Sequence, residues 1–121
     1  MQHIQILNFN LKGINHDDFI EIADTMAPVF AEVPGLLSKI WLADQESNTY
    51  GGVYTWKDRQ AMDTFSESSL FNDVANNPNF ANFTSKDFCQ FFPKARYSRQ
   101  GLARLLECNN LYILILSSPA Q

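Results

Sequence analysis

Cysteine and histidine are scarce in this 121-residue chain, with two of each. Cys89 and Cys108 lack CxxC spacing and have no histidine at ligand distance in sequence, so no metal site and no dithiol redox motif is expected, only two buried free thiols. His3 and His16 both lie near the N-terminal end and no paired-carboxylate motif is present, which thins the case for ordinary acid–base catalysis. Long apolar runs are missing as well. The longest late one, Leu111 to Leu116, is far too short to span a bilayer, and no signal-peptide pattern opens the chain, so a cytoplasmic protein away from membranes is expected. A formal net charge of -4 and a pI near 4.9 argue against nucleic-acid partners. The charge is uneven: Lys94, Arg96, Arg99 and Arg104 face only Glu107 beyond residue 92, a basic tail on an acidic body.

What the chain has is aromatic surface, with ten Phe, four Tyr and two Trp. That load suits an apolar cavity or a large interface. A chain of this length forms one domain that needs no staple. Its organising stretch is Val33 to Phe71. Pro34-Gly35 is turn chemistry, Leu36 to Ala43 and Tyr50 to Trp56 read as strands, and Asp44 to Thr49 is a polar loop joining them as a hairpin. Alternation places Leu37, Lys39 and Trp41 on one face and Leu36, Ser38, Ile40 and Leu42 on the other. Gly51-Gly52 inside the second strand marks a bulge or a place where a ring, a partner chain or a ligand approaches the backbone.

Before the hairpin, Ile4 to Leu11 reads as a strand with Leu7, Phe9 and Leu11 on one face and Ile6, Asn8 and Asn10 on the other. Asn15 or His16 then caps a helix with Phe19, Ile22, Ala23, Met26 and Phe30 on its buried stripe, and Pro28 predicts a bend or an early end. After the hairpin, Asp58 caps a helix holding Ala61, Met62 and Phe65. Leu70, Phe71, Val74 and Ala75 add a further turn before the stop at Asn76-Asn77-Pro78-Asn79. Phe83 to Phe92 is the fourth strand, with Phe88 and Phe92 packing inward. The order β-α-β-β-α-β is the ferredoxin-like α+β arrangement, an antiparallel sheet with helices on one face. Trp41, Tyr54 and Trp56 would then form an aromatic surface on the uncovered face, to be buried against a second copy.

Pro34-Gly35-Leu36-Leu37-Ser38-Lys39-Ile40-Trp41 and Gly51-Gly52-Val53-Tyr54-Thr55-Trp56-Lys57-Asp58 resemble the YdhR-like mono-oxygenases of the dimeric α+β barrel superfamily. Lys12-Gly13, Pro28 and Ser68-Ser69-Leu70-Phe71 look like the same group, over about residues 4 to 88. The resemblance implies a homodimer whose sheets meet face to face, with a pocket in each subunit for a hydrophobic or aromatic small molecule. It also implies oxidation of an electron-rich aromatic or polycyclic compound by molecular oxygen with no cofactor, the substrate anion itself reacting. Asn8 and Tyr54 are the candidate catalytic polar groups, and Trp41, Trp56 and Phe65 the candidate substrate-binding rings. Haem-degrading relatives use an Asn, a Trp and a His; the corresponding positions here are Asn8, Phe65 and Ala75, so haem degradation is rejected.

Two other readings stand beside it: a dimeric protein that binds a hydrophobic small molecule without catalysis, and a small isomerase or lyase of the same superfamily. Residues 1–92 are expected to form the barrel domain. Family members of this type usually stop soon after the fourth strand, so residues 93–121 are an extension, expected as a helix through Leu102, Leu105 and Leu106 followed by a strand over Leu111 to Leu116 that joins the sheet edge or the dimer.

Overall fold

A computed structural model describes residues 2–90, together with the backbone of two strands at 103–108 and 111–116. The elements run β1 (His3–Leu11), α1 (His16–Ala31), β2 (Leu36–Asp44), β3 (Thr49–Trp56), α2 (Arg59–Ser66), α3 (Ser69–Ala75), β4 (Phe80–Cys89), β5 (Ala103–Cys108) and β6 (Leu111–Leu116). The first four strands form one antiparallel sheet in the order β2-β3-β1-β4, and β5 pairs with β6 as a separate two-stranded sheet. The architecture is ferredoxin-like α+β, as the sequence order predicts.

Local chemistry sets the helix ends. Asn15 and Asp18 form a reciprocal capping box at the start of α1, the Asn15 side chain accepting from the Asp18 N–H at 2.9 Å. Of the bend or early end expected at Pro28, the early end does not occur: the helix runs through this exposed proline to Ala31. Asp58 caps α2, and Ser68 caps α3 by accepting from the Phe71 N–H at 3.2 Å, so the further turn expected after α2 is a helix of its own.

Strand β1 alternates as predicted, with Leu7 and Phe9 buried toward the helices and Ile6, Asn8 and Asn10 on the other face. The parity of β2 is different from the expected one. A bulge between Leu36 and Ser38 shifts its register on β3, so Leu36 packs on the core beside Lys39 and Trp41, while Leu37 is 54 % exposed. One extra residue in the ladder reverses every orientation before it.

The exposed aromatic surface expected from Trp41, Tyr54 and Trp56 is overturned. All three rings face the helices, Tyr54 and Trp56 fully buried. The uncovered face carries Ile40, 60 % exposed, with Leu42 beside it on β2, and Phe88, 53 % exposed, on β4, with Val53 of β3 and Ile6 of β1 on the strands between them. Phe88 thus points outward, because Phe83, Ser85 and Asp87 take the inward parity of β4; Ser85 and Asp87 are bonded to Gln5 and His3 of β1. Phe92 lies outside the described residues.

Ala103–Cys108 is a strand where the leucine spacing predicts a helix, and its partner is β6 directly, not the edge of the main sheet. Pairing between two segments so close in sequence closes only a short loop. Cys89 is disulfide-bonded, against the expectation of a free thiol. Among the described residues no helix is long and apolar enough to cross a membrane.

Candidate active site

A cavity of about 240 Å³ lies between the sheet and the helices. Its floor is a row running across three strands, Trp41 on β2, Gly52 on β3 and Leu7 on β1, which the register sets side by side. Lys39 and Tyr54, paired one row away, extend the floor. Phe19, Ile22, Met26 and Phe30 of α1 form one wall, and Leu70 and Val74 of α3 form another. Asp73 and Asn77 bring polar groups to the cavity, Asp73 exposed on its outer side and so at the rim.

The paired glycines have separate causes. At Gly51, where φ is +153°, an added Cβ would overlap the carbonyl oxygen of Leu7, so β1 can pair this closely only with glycine there. A Cβ on Gly52 would meet Lys39 Cε at 3.1 Å and Tyr54 Cε1 at 3.2 Å. The absent side chain is the space over which Lys39 and Tyr54 lie.

Lys39 is the chemically unusual group. Its Nζ sits 3.2 Å from the ring centroid of Trp41, 3.3 Å from that of Phe30 and 4.8 Å from that of Tyr54. No hydrogen bond or ion pair reaches it from any described residue. Burial pulls its pKa down from 10.5 to about 6, because a desolvated ammonium is disfavoured. The ring faces act in the opposite sense, since each aromatic quadrupole attracts the cation. An amine that gains and loses its proton near neutrality therefore faces an apolar chamber. Lys39, Phe30 and Trp41 also line an open groove of about 380 Å³ at the α1–β2 edge, with Ala27, Leu36 and Ser38.

Of the residues singled out from the sequence, Trp41 and Tyr54 line the cavity. Burial raises the Tyr54 phenol above its ordinary range, and its hydroxyl makes no hydrogen bond to a described residue, so it is a neutral O–H at neutral pH. Trp56 and Phe65 lie behind Tyr54, not at the cavity surface. The Trp56 ring stacks on Tyr54 at 6.1 Å with Phe65 at 5.0 Å, and its Nε1–H donates to Gln5 Oε1 at 3.1 Å. Asn8 is on the opposite face of the sheet, its Nδ2 donating to the Tyr50 carbonyl at 3.4 Å. Lys39, Asp73, Asn77 and the α1 rings were not among the candidates. The signal for Lys39 is a charged residue two positions before Trp41, on the same face of β2.

Among the described residues no group of three or more His, Cys, Asp or Glu side chains could hold a metal ion. His16 Nδ1 lies 2.9 Å from the Tyr50 hydroxyl, outside the cavity wall.

An antiparallel ferredoxin-like sheet with helices on one face is the fold shared with the antibiotic-biosynthesis mono-oxygenase-like neighbours. The chain belongs to the family described as "Putative mono-oxygenase ydhR", whose model matches residues 4–94. Among solved structures it is similar to SnoaB of Streptomyces nogalater, a cofactor-independent oxygenase, at 20 % identity and a TM-score of 0.60, over 77 % of this chain and 98 % of that one. A "putative antibiotic biosynthesis monooxygenase" of Chloroflexus aurantiacus J-10-fl matches at 16 % identity and a TM-score of 0.56, over 78 % of this chain and 98 % of that one. Protein SO0527 of Shewanella oneidensis matches at 13 % identity and a TM-score of 0.61, over 74 % and 90 %. At these identities the likeness is one of fold. No curated protein matches the chain significantly.

Proposed function

We propose that the protein is a cofactor-independent mono-oxygenase whose substrate is a small aromatic compound held between the sheet and α1. The observation that carries this reading is the chamber itself: aromatic on floor and wall, with an amine, Lys39, among its rings that pairs with no described residue. Membership of the ydhR family and the oxygenase activity stated for SnoaB support it. An apolar chamber desolvates the substrate, and a fixed cation or proton acceptor favours its anion, which is the form that gives electrons to oxygen. One oxygen atom enters the product and the other leaves as water, the substrate supplying the electrons.

The chamber of about 240 Å³ is smaller than the roughly 300–1,000 Å³ of pockets for drug-sized ligands, which favours one or two fused rings over larger polycycles. The apolar outer face of the sheet supports a homodimer. Residues 1–92 form the catalytic body in this reading, since every lining residue falls between Leu7 and Phe80.

The test is oxygen uptake with a panel of one- and two-ring phenols in the presence of a metal chelator, followed by mass spectrometry under ¹⁸O₂. Incorporation of one labelled oxygen is expected. A ligand that binds and is recovered unchanged from oxygenated buffer would establish a binding protein instead.

A further inference from the structure

We propose that Lys39 is the proton acceptor of this chamber, taking the proton from the hydroxyl of an acidic phenol or enol seated over Gly52 and returning it to solvent through the groove at the α1–β2 edge. The inference rests on the reading of the chamber as a substrate site, but not on any reaction with oxygen. In this step the substrate O–H bond breaks and an N–H bond forms on Nζ. A neutral pair becomes an ammonium and an oxyanion, and no electron is transferred.

Three features of the geometry support it. First, Nζ has no hydrogen-bond or ion-pair partner among the described residues, so a ligand oxygen is free to become its first hydrogen-bond acceptor or donor. Second, Phe30 and Trp41 hold their ring faces 3.3 Å and 3.2 Å from Nζ, where they attract the ammonium once it forms and do little for the free amine. The cage therefore stabilises the product of proton transfer. Third, Lys39, Phe30 and Trp41 separate the inner chamber from the outer groove, which gives the proton a way out that does not pass the ligand.

The groups facing Lys39 leave it the base of choice. From α1 only apolar side chains line the chamber, and from β3 the Tyr54 phenol is held protonated by burial. Asp73 of α3 lies at the rim with no ion pair to Lys39. An amine whose pKa burial has lowered to about 6 is a weak base, so the substrate's hydroxyl must itself be acidic, as in a phenol bearing an electron-withdrawing group or a β-dicarbonyl enol.

The probe is 4-nitrophenol, whose anion absorbs in the visible, added under argon to the full chain at a pH about one unit below the phenol's own pKa. Wild type is expected to convert bound ligand to the anion. Lys39→Met, which keeps length and apolar packing, is expected to bind it with at least tenfold less anion, binding being followed separately by calorimetry. An equal anion band in the variant, or none in wild type, overturns the proposal.

A second measurement needs no variant. Calorimetry of the wild type at pH 7.5 in two buffers of different ionisation enthalpy counts protons exchanged with solvent. Most free 4-nitrophenol is already ionised at this pH, so net proton uptake from buffer on binding supports a neutral Lys39 as acceptor, whereas net proton release means that Lys39 was already an ammonium and overturns the role. Absence of oxygen uptake in the separate aerobic experiment would sink the mono-oxygenase reading and leave this one standing.

Discussion

Lys39 shows how far one residue can depart from what its type predicts. Lysine is normally solvated, yet the inward parity of β2 and the open space at Gly52 place this one among rings. The folded chain holds its pKa near 6 against 10.5 for a free side chain, so between those values the unfolded chain binds the proton more tightly. Stability therefore rises with pH across that window, and the penalty is fully present below about 6 and absent above 10.5. Lys39→Met is expected to stabilise the protein at pH 7 by on the order of 2 kcal/mol, since the unfolded lysine holds a proton that the folded one has largely given up. Urea denaturation at pH 7 and pH 10 checks this, the gain shrinking at the higher pH; a destabilised variant at both would show that the cage outweighs burial. For turnover the sign is the same, because the neutral amine is the working form: the rate should rise with pH through about 6. A pH–rate profile that is flat between 5 and 8 would contradict this.

Strand parity says which residues share a face, not which face the helices cover. Alternation groups Lys39 with Trp41, but Trp41 and Tyr54 line the cavity on the face expected to be bare. The same rule sends Asn8 to the far face, since Leu7 and Phe9 take the inward positions on either side of it. A polar residue beside an apolar stripe attracts attention, but parity decides where it points.

At the scale of elements, glycine and serine do the work that hydrophobic patterning cannot. Gly51→Ala would drive a methyl group into the Leu7 carbonyl across the β1–β3 ladder, a clash that only separation of the strands relieves. A loss of more than about 3 kcal/mol is expected, since both backbones are fixed by pairing on each side. Ser68→Ala removes the cap of a seven-residue helix and should cost about 1 kcal/mol. Denaturant midpoints measured side by side would rank the two; a Gly51→Ala protein as stable as Ser68→Ala would show that β3 yields more readily than its register implies. The order of elements was legible because each change of hydrophobic period is bounded by Pro-Gly, a capping residue or an Asn cluster. The bulge at Leu37 was not, because an unpaired residue leaves no mark in composition. Nor was β5, whose leucines fit a helical spacing until pairing with β6 selects the extended form.

At the scale of the molecule, one face of the sheet is covered by α1, α2 and α3, and among the described residues no helix packs on the other. Ile40 and Phe88 stand exposed at opposite margins of that other face, in β2 and β4, with Ile6 and Val53 between them as a directly paired couple in β1 and β3. Isolated exposed apolar residues need no explanation, but a contiguous set across all four strands marks an interface. A two-fold partner presenting the same face covers it most simply, residue against equivalent residue. Native mass spectrometry of the full chain should therefore give a dimer. Val53→Glu, at the centre of the face, should give a monomer, because two carboxylates would meet near the two-fold axis in a desolvated contact. The chamber's lining lies on the helix side of the sheet, away from the face offered to a partner, so the monomer should still bind 4-nitrophenol at Lys39 with affinity within a few-fold of wild type. A wild-type chain that stays monomeric at micromolar concentration would refute the two-fold contact. A variant that becomes monomeric and loses the ligand would instead mean that the partner's sheet braces the cavity floor from behind, through the backbone of Gly51 and Gly52.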